Sequence, residues 1–479
     1  MKWIAVRALF LAALSSALPA SAARPNVDDV VATLASATEF PEVAASPDGK
    51  RAAWIEERAE GDRRETRLFV RSVPPAGPAV SIAVPSAGRR PRLHAIAFSP
   101  DSATLAFVAS DDETGRSILF LAPAAGGKAK RLATFDGALD APSFSPDGRS
   151  IAFLAVEKPS KGAGPLGPAA RATGVIGEAE SADVQRIALF DVATGARTVA
   201  SPVDLYVYEF DWFPSGAAFA VTAAPPPGDD HWWSARLMTI DRATATPHAV
   251  HTPAEQIASP TVSPDGKSIA FIGGLMSDQG VTGGDVFVVD AAGGTPRNLT
   301  PGRRASATSA RWLAAGKILL TEIAGGVPAV SVVDPKTSAV ETLRIGRERL
   351  SSGLGLGISS SKDVAMIAAV RSSFDETEEI VAGTPADLKP LTSANAGLKP
   401  SWGRGKSVFV DREGAGVEGW YVRGFEGDEA KGARHPLVVL VHGGPASAAV
   451  PRWPSVLAAS LLSQGYDVLF PNPRGSFGQ

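Results

Sequence analysis

The sequence predicts a mostly β chain: a seven-bladed β-propeller, with eight blades as the alternative count, followed by the first β-α-β portion of an α/β unit. Three observations carry this expectation. A Ser-Pro-Asp-Gly turn leading into a β-prone run recurs along most of the chain with a regular period. Gly and Pro number 48 and 38 among 479 residues, and many short strands need that many turn-formers. From residue 436 onward the texture changes to continuous apolar runs that end in glycine-bearing loops.

The chain opens with Lys2 and Arg7, an apolar run from Ala8 to Leu18, and the small-residue site Ala20-Ser21-Ala22. This is the three-part plan of a secretory signal, so residues 1–22 are expected to be removed after Ala22 and the mature chain to be secreted or periplasmic. No later stretch approaches the roughly 20 apolar residues of a spanning helix, and no membrane span is expected after signal removal. Lys and Arg number 47 against 50 Asp and Glu, a net charge of -3, with no basic stripe or acidic tail; nothing favours nucleic acid. Cysteine is absent, which excludes disulfides, thiol catalysis and thiolate metal sites. The six His are scattered without an H-E-x-x-H pairing, and neither a metal site nor a cofactor is expected.

The repeat begins at Ser46-Pro47-Asp48-Gly49-Lys50 and returns at Ser99-Pro100-Asp101-Ser102, Ser145-Pro146-Asp147-Gly148-Arg149 and Ser263-Pro264-Asp265-Gly266-Lys267. Worn copies stand at Phe213-Pro214-Ser215-Gly216, Trp312 to Lys317, Ser359 to Asp363 and Trp402 to Lys406. Pro presets φ at the first central position of the turn, Asp can bond its own backbone, and Gly accepts a positive φ. The spacing of Ser46, Ser99 and Ser145 sets a period of about 50, and such a period with about four strands per unit marks a propeller blade. The longer interval from Pro146 to Pro214 contains a Gly-, Ala- and Pro-rich insertion, Lys158 to Glu180. Between copies, Ile187 to Gly195, Val286 to Gly294 and Val330 to Lys336 read as strands running into turns that complete each blade. Eight copies give eight blades, or seven if the chain ends share one; seven is the expectation. The aspartates of these turns are read as structural. Residues 23–425 are assigned to the propeller and its lead-in.

After the polar linker Glu426 to His435, Pro436 to Val441 is an apolar run expected to form a strand buried on both faces, ending in His442-Gly443-Gly444-Pro445. Val450 to Gly465 carries apolar residues at roughly helical spacing, with Gly465 placed to stop the helix. Tyr466 to Phe470 makes a second strand, ending in Pro471-Asn472-Pro473-Arg474-Gly475-Ser476. Strand, glycine loop, helix and strand form a parallel crossover unit.

The runs "HPLVVLVHGGP" and "YDVLFPNPRGSFGQ" resemble the opening of the catalytic domain in the prolyl oligopeptidase family of serine peptidases, nearest its acylaminoacyl-peptidase and dipeptidyl-peptidase branches. The repeats and the lead-in from Val27 to Glu42 are also similar to that family. The resemblance implies that residues 426–479 start an α/β-hydrolase domain and that Gly443 and Gly444 lie in a loop supplying backbone N–H groups to an oxyanion hole. His442, Pro445, Asn472, Arg474, Gly475 and Ser476 match motif positions and are read as loop structure. His442 is not expected to be the base, which comes last in chain order in this fold. No G-x-S-x-G elbow occurs, so no catalytic residue is assigned, the triad is expected beyond Gln479, and this chain by itself is expected to be inactive. The implied whole is an exported peptidase cleaving short peptides or acyl-peptides, with the propeller gating access; oligomeric state is unassigned. The alternative is an envelope scaffold carrying a vestigial hydrolase stub. An esterase is a third reading, since HGG loops also serve esterases.

Overall fold

The computed structural model describes residues 24–479 except 62, 75–76, 86–90, 112–113, 158–182, 227–228, 354–355, 413–414, 427–433 and 445. The expected signal segment, the insertion Lys158 to Glu180 and Pro445 therefore lie outside the described residues.

The described strands from Glu39 to Pro390 form six sheets built almost wholly from sequence-adjacent antiparallel pairs. The largest is two four-stranded units joined by one long strand, Lys130–Phe144. Its first part pairs with Arg116–Pro123 and its last part with Ser150–Glu157. The first seven copies of the repeat turn each join the first strand of a four-stranded unit to its second, as Ser46 to Lys50 joins Glu39–Ala45 to Arg51–Glu60. This is a mostly β architecture of small sheets consistent with a β-propeller.

Turn chemistry explains why the motif recurs. In the turn after Ser145, the serine hydroxyl donates to Asp147 at 2.6 Å, Asp147 accepts the Arg149 N–H at 3.0 Å, and Ser145 Oγ accepts the Ser150 N–H at 3.0 Å. The same three bonds recur after Ser46, Ser99, Ser263 and Ser361. Hydroxyl donation from the serine holds Asp101, Asp147 and Asp265 below the ordinary carboxyl value. The left-handed turn position is glycine in most copies, as at Gly148 with φ 71°, but Ser102 and Val364 occupy it at φ 62°. The second set of turns works similarly: Asp191, Asp241, Asp290 and Asp334 each accept the N–H two residues on.

Neighbouring repeat turns touch, and the contacts run round a circle. Gly148 faces the Pro100 ring, Gly216 faces Pro146 and Gly266 faces Pro214. Asp48 N–H donates to Ser102 at 3.1 Å, while Lys362 N–H donates to Pro47 O at 3.2 Å, so the first turn meets both the second and the seventh. Val43 N–H to Ser352 O at 3.0 Å and a reciprocal Thr38–Asn395 pair (2.9 and 2.8 Å) close the ring by joining its first unit to its last. Phe40, Val43 and Trp54 pack there against Met366, Val370 and Ile380. Between units the second strands are buried over most of their length, with Phe107, Phe153 and Phe219 fully enclosed; burying each is worth about 2–3 kcal/mol.

The eighth copy does something different. Trp402 to Lys406 leads into strand Gly405–Arg412, which pairs with Ala415–Val422, and that strand pairs antiparallel with Asp467–Asn472. Leu437–Val439 lies parallel to Asp467–Asn472 on its other side. The hairpin 405–422 thus belongs to the C-terminal sheet, and a division at 425 cuts that sheet. The helix of this unit is Val456–Ser463, shorter than the spacing predicts, because Pro451 and Pro454 precede it and Ser455 caps it. Gly465 ends it at φ 81°. The helix in the lead-in, Val27–Ala35, packs against this helix, and Gln464 donates to Pro25 O at 2.8 Å.

The strand expected to be buried on both faces is not. Leu437, Val439 and Val441 are 53%, 49% and 63% exposed, because no described strand pairs with its outer edge and no described helix covers that face.

Candidate functional site

The repeat turns sit where second strands begin, whereas the C-terminal unit meets the ring where those strands end, about 20 Å away along a seven-residue strand. The turn aspartates are thus remote from the glycine loop, in keeping with their structural reading. Ile323 and Leu356 of the ring pack with Ala446, Ala448, Val450 and Phe477 of the C-terminal loops.

The glycine loop leaves the end of Leu437–Val439. His442, expected to be loop structure, ties the two C-terminal loops together: its Nδ1–H donates to Gly443 O at 2.8 Å, and its Nε2 lies 2.9 Å from Ser476 Oγ. Ser476 is buried and also lies 2.7 Å from Pro473 O. An enclosed hydroxyl held in this way links two loops and offers no approach to a substrate carbonyl.

Gly443 and Gly444 are exposed, and among the described residues neither N–H has a protein acceptor. Nothing lies within 4 Å of a Cβ placed on Gly443. At Gly444 the φ of 138° and a Cβ only 2.8 Å from Ala446 N require glycine. Two exposed donors beside a buried turn can hold a developing oxyanion or a carboxylate.

Asn472 is fully buried at the end of Asp467–Asn472 and braces the loop from below. Its Oδ1 accepts the Ala449 N–H at 2.7 Å, and its Nδ2 donates to Ala449 O at 3.1 Å and Glu418 Oε2 at 2.9 Å. Burial pushes Glu418 up, while hydrogen bonds from Asn472 and Ser407 pull the other way. Arg474 and Gly475, two other motif positions, are exposed on the outer turn, and Gly475 has φ 95°. The structure brings His442, Gly443, Gly444, Asn472 and Ser476 into one corner and leaves Arg474 outside it. At the opposite end of the same strand, Asp467 accepts from Tyr421, from Gly424 N–H at 2.9 Å and from His435 at 2.9 Å. Burial works against its charge, yet these donors hold its carboxyl below the ordinary value. Among the described residues, no cluster of three or more His, Asp and Glu is placed to hold a metal.

Sequence reasoning missed the ring's share of this corner. Ser277 donates to Ala446 O at 2.6 Å, Gly478 N–H donates to Ser306 at 3.0 Å, and Gly283 lies flat against the Phe477 ring. The available signal was the pair of glycine doublets, Gly273-Gly274 and Gly283-Gly284, which the repeat pattern does not require.

No family profile and no curated protein matches the sequence. Solved structures do match the fold. An acylaminoacyl peptidase in complex with Z-Gly-Gly-Phe-chloromethyl ketone is 14% identical, with TM-score 0.67 over 93% of this chain and 67% of that one. The uncomplexed acylaminoacyl peptidase of Pyrococcus horikoshii is 13% identical, with TM-score 0.66 over 92% of this chain and 66% of that one. A puromycin-hydrolysing peptidase of Mycobacterium tuberculosis is 17% identical, with TM-score 0.67 over 96% and 69%. The chain thus shares their fold and spans about two thirds of their length.

Proposed function

We propose that this chain is the propeller and the opening of the hydrolase domain of an exported serine peptidase of the prolyl oligopeptidase family, acting on short peptides or acyl-peptides. The observation that carries the reading is the pair of exposed glycines, Gly443 and Gly444, whose N–H groups have no acceptor among the described residues, just past the end of a parallel strand. In acyl transfer such donors stabilise the tetrahedral oxyanion, and losing one costs about 100- to 1,000-fold in kcat. The acyl-peptide and puromycin activities in the names of the similar structures support amide substrates small enough to pass a propeller.

In this reading the ring has seven blades, one for each of the first seven repeat turns, with the eighth copy recruited into the hydrolase sheet. The lead-in helix and residues 405–479 form the hydrolase side, and the Lys2 to Ala22 pattern supports export with cleavage after Ala22. The nucleophile, acid and base are assigned to no residue of this chain, which by itself is expected to be inactive.

Labelling with a fluorophosphonate in an extract of the source organism tests the proposal. A labelled species that yields peptides of this sequence and cleaves acyl-peptides is expected. If every species containing these peptides resists the label and hydrolyses no peptide or acyl-peptide, the peptidase reading fails and a binding scaffold takes its place.

A further inference from the structure

The segment between the two glycine doublets is a closed loop. A Cβ on Gly274 would sit 2.8 Å from Gly283 O and 2.9 Å from Gly284 Cα, and one on Gly284 would collide with Gly273 O. Gly274 and Gly284 therefore form a neck in which two backbones touch, and a Cβ at either would collide with the opposing chain, while Gly273 and Gly283 lie against the rings of Phe287 and Phe477. From the neck, residues 275–282 reach out and are fastened on both sides. Met276 is buried with Tyr206, Tyr208 and Trp232, and its N–H donates to Gln256 at 3.3 Å. Val281 packs with Ala446, Phe477 and Ile323. Between these anchors Ser277 Oγ lies 2.6 Å from Ala446 O and 3.3 Å from the Cβ position of Gly444.

The next ring of contacts reaches the second C-terminal loop. Gly283 at the neck is pressed on the Phe477 ring, and Phe477 N–H donates to Ser447 O at 2.8 Å. Gly284 continues as a bridge to Ala307, next to Ser306, which accepts Gly478 N–H. One loop of the ring thus holds the glycine loop directly and its supporting loop through Phe477.

We propose that the loop 275–282 is a positioning element, with Ser277 as its positioning residue, that fixes the direction of the Gly443 and Gly444 N–H groups from the propeller side. The inference deepens the oxyanion-loop reading above and rests on it for its catalytic meaning. The physical reason is that a pair of N–H donors contributes only if held in place beforehand, and Gly443 has no side chain with which to be held. Ala446, three residues on, is instead pinned through its carbonyl. Removing the Ser277 hydroxyl frees that carbonyl and with it the turn that aims Gly444.

The test uses amide hydrogen exchange on this chain, comparing the native protein with Ser277→Ala, Ser277→Thr and Asp278→Ala. Asp278 is an exposed neighbour whose side chain lies outside these contacts, and it serves as the control. Exchange at the amides of 446–449, among which Ala449 N–H is bonded to Asn472, is expected to speed up roughly fivefold in Ser277→Ala, by the net worth of one hydrogen bond. It should stay at the native rate in Asp278→Ala and return toward it in Ser277→Thr, with the repeat turns unchanged in all three. Unchanged exchange at 446–449 in Ser277→Ala would overturn the inference whatever the protein hydrolyses. In the protein as its source makes it, the same substitution should lower kcat for acyl-peptides about tenfold with KM nearly constant. A change in KM alone would overturn the positioning role, whereas native protein that cleaves nothing would overturn the hydrolase reading and leave the exchange result standing.

Discussion

The ring and the C-terminal unit solve the same problem, covering an apolar sheet, with opposite logic. In the ring nearly all pairs join strands that follow one another in sequence, and each unit carries its own repeat turn, so most of its order is written within a single repeat. The C-terminal sheet is assembled from 405–422, 437–439 and 467–472, carries a helix from residues 27–35, and takes its loop geometry partly from Ser277 and Ser306. A defect in the first should stay local, and a defect in the second should spread.

Five measurements can break or sharpen that contrast. Trp420 is 1% exposed and packs between Phe374 of the last ring unit and Val468 of the C-terminal sheet. Trp420→Ala is expected to cost about 3–5 kcal/mol in denaturant unfolding and to loosen both units. If only one transition shifts, the two do not share a core there.

Glu42 tests the seams of the ring. Its carboxylate accepts Ala95 N–H at 2.6 Å and Ile96 N–H at 2.7 Å from the next unit. Burial, opposed by the Ile96 bond and reinforced by Asp140, pushes it up to about 7 from an ordinary 4.5. A raised carboxyl binds its proton more tightly when folded. Its contribution is therefore whole below pH 4.5 and is lost as pH rises toward and through 7. Native stability should fall by roughly 3 kcal/mol from this group over that window, and Glu42→Gln should abolish the slope. An unchanged slope would place the pH dependence elsewhere.

Asn472→Ala leaves the Ala449 backbone and the buried Glu418 short of partners, a loss of about 2 kcal/mol. Faster exchange at Ala449 than in the repeat turns is the expected signature, and a uniform change would erase the contrast. Gly148→Ala, in a ring turn, meets only ordinary contact with Pro100 Cδ at 3.8 Å, so its cost of about 1–2 kcal/mol is conformational. That cost should show as local exchange around 145–150 with the C-terminal unit unaffected.

Ser145→Ala should be smallest, at about 1 kcal/mol. It also carries a pH signature of opposite sign to that of Glu42. The Ser145 bond holds Asp147 low, so its share of stability is present above the ordinary 3.8 and disappears as pH falls through the lower folded value. Acid unfolding of Ser145→Ala should therefore draw closer to that of the native protein below that range, the remaining gap being the Ser150 N–H bond that Ser145 Oγ accepts at any pH. Curves that stay parallel into strong acid would remove the carboxylate from the account.

The difference between the two regions also explains what could be read from residues alone. The repeat turns were legible because Pro, Asp and Gly each answer a local need of one turn, and seven copies took the places the period assigns. The worn copy at Trp402 was indistinguishable by the same signal, since a turn followed by a strand does not state which sheet the strand will join. Phe213, Trp312 and Trp402 all precede strands that form local hairpins, and only the pairing of the third hairpin with Asp467–Asn472 separates it from the others.

At the candidate site the same limit applies. The sequence alone determined the strand-and-glycine-loop pattern at Leu437 to Gly444, the helix stop at Gly465 and the turn into Arg474 and Gly475, because each follows from backbone conformations that few residues allow. The tertiary structure alone decided that Asn472 and Ser476 turn inward while Arg474 stays outside, that strand Leu437–Val439 is exposed on one face, and that Ser277, from a distant part of the chain, holds Ala446. Those outcomes depend on which distant surface arrives at the loop, and a single segment carries no record of the partner that will cover it.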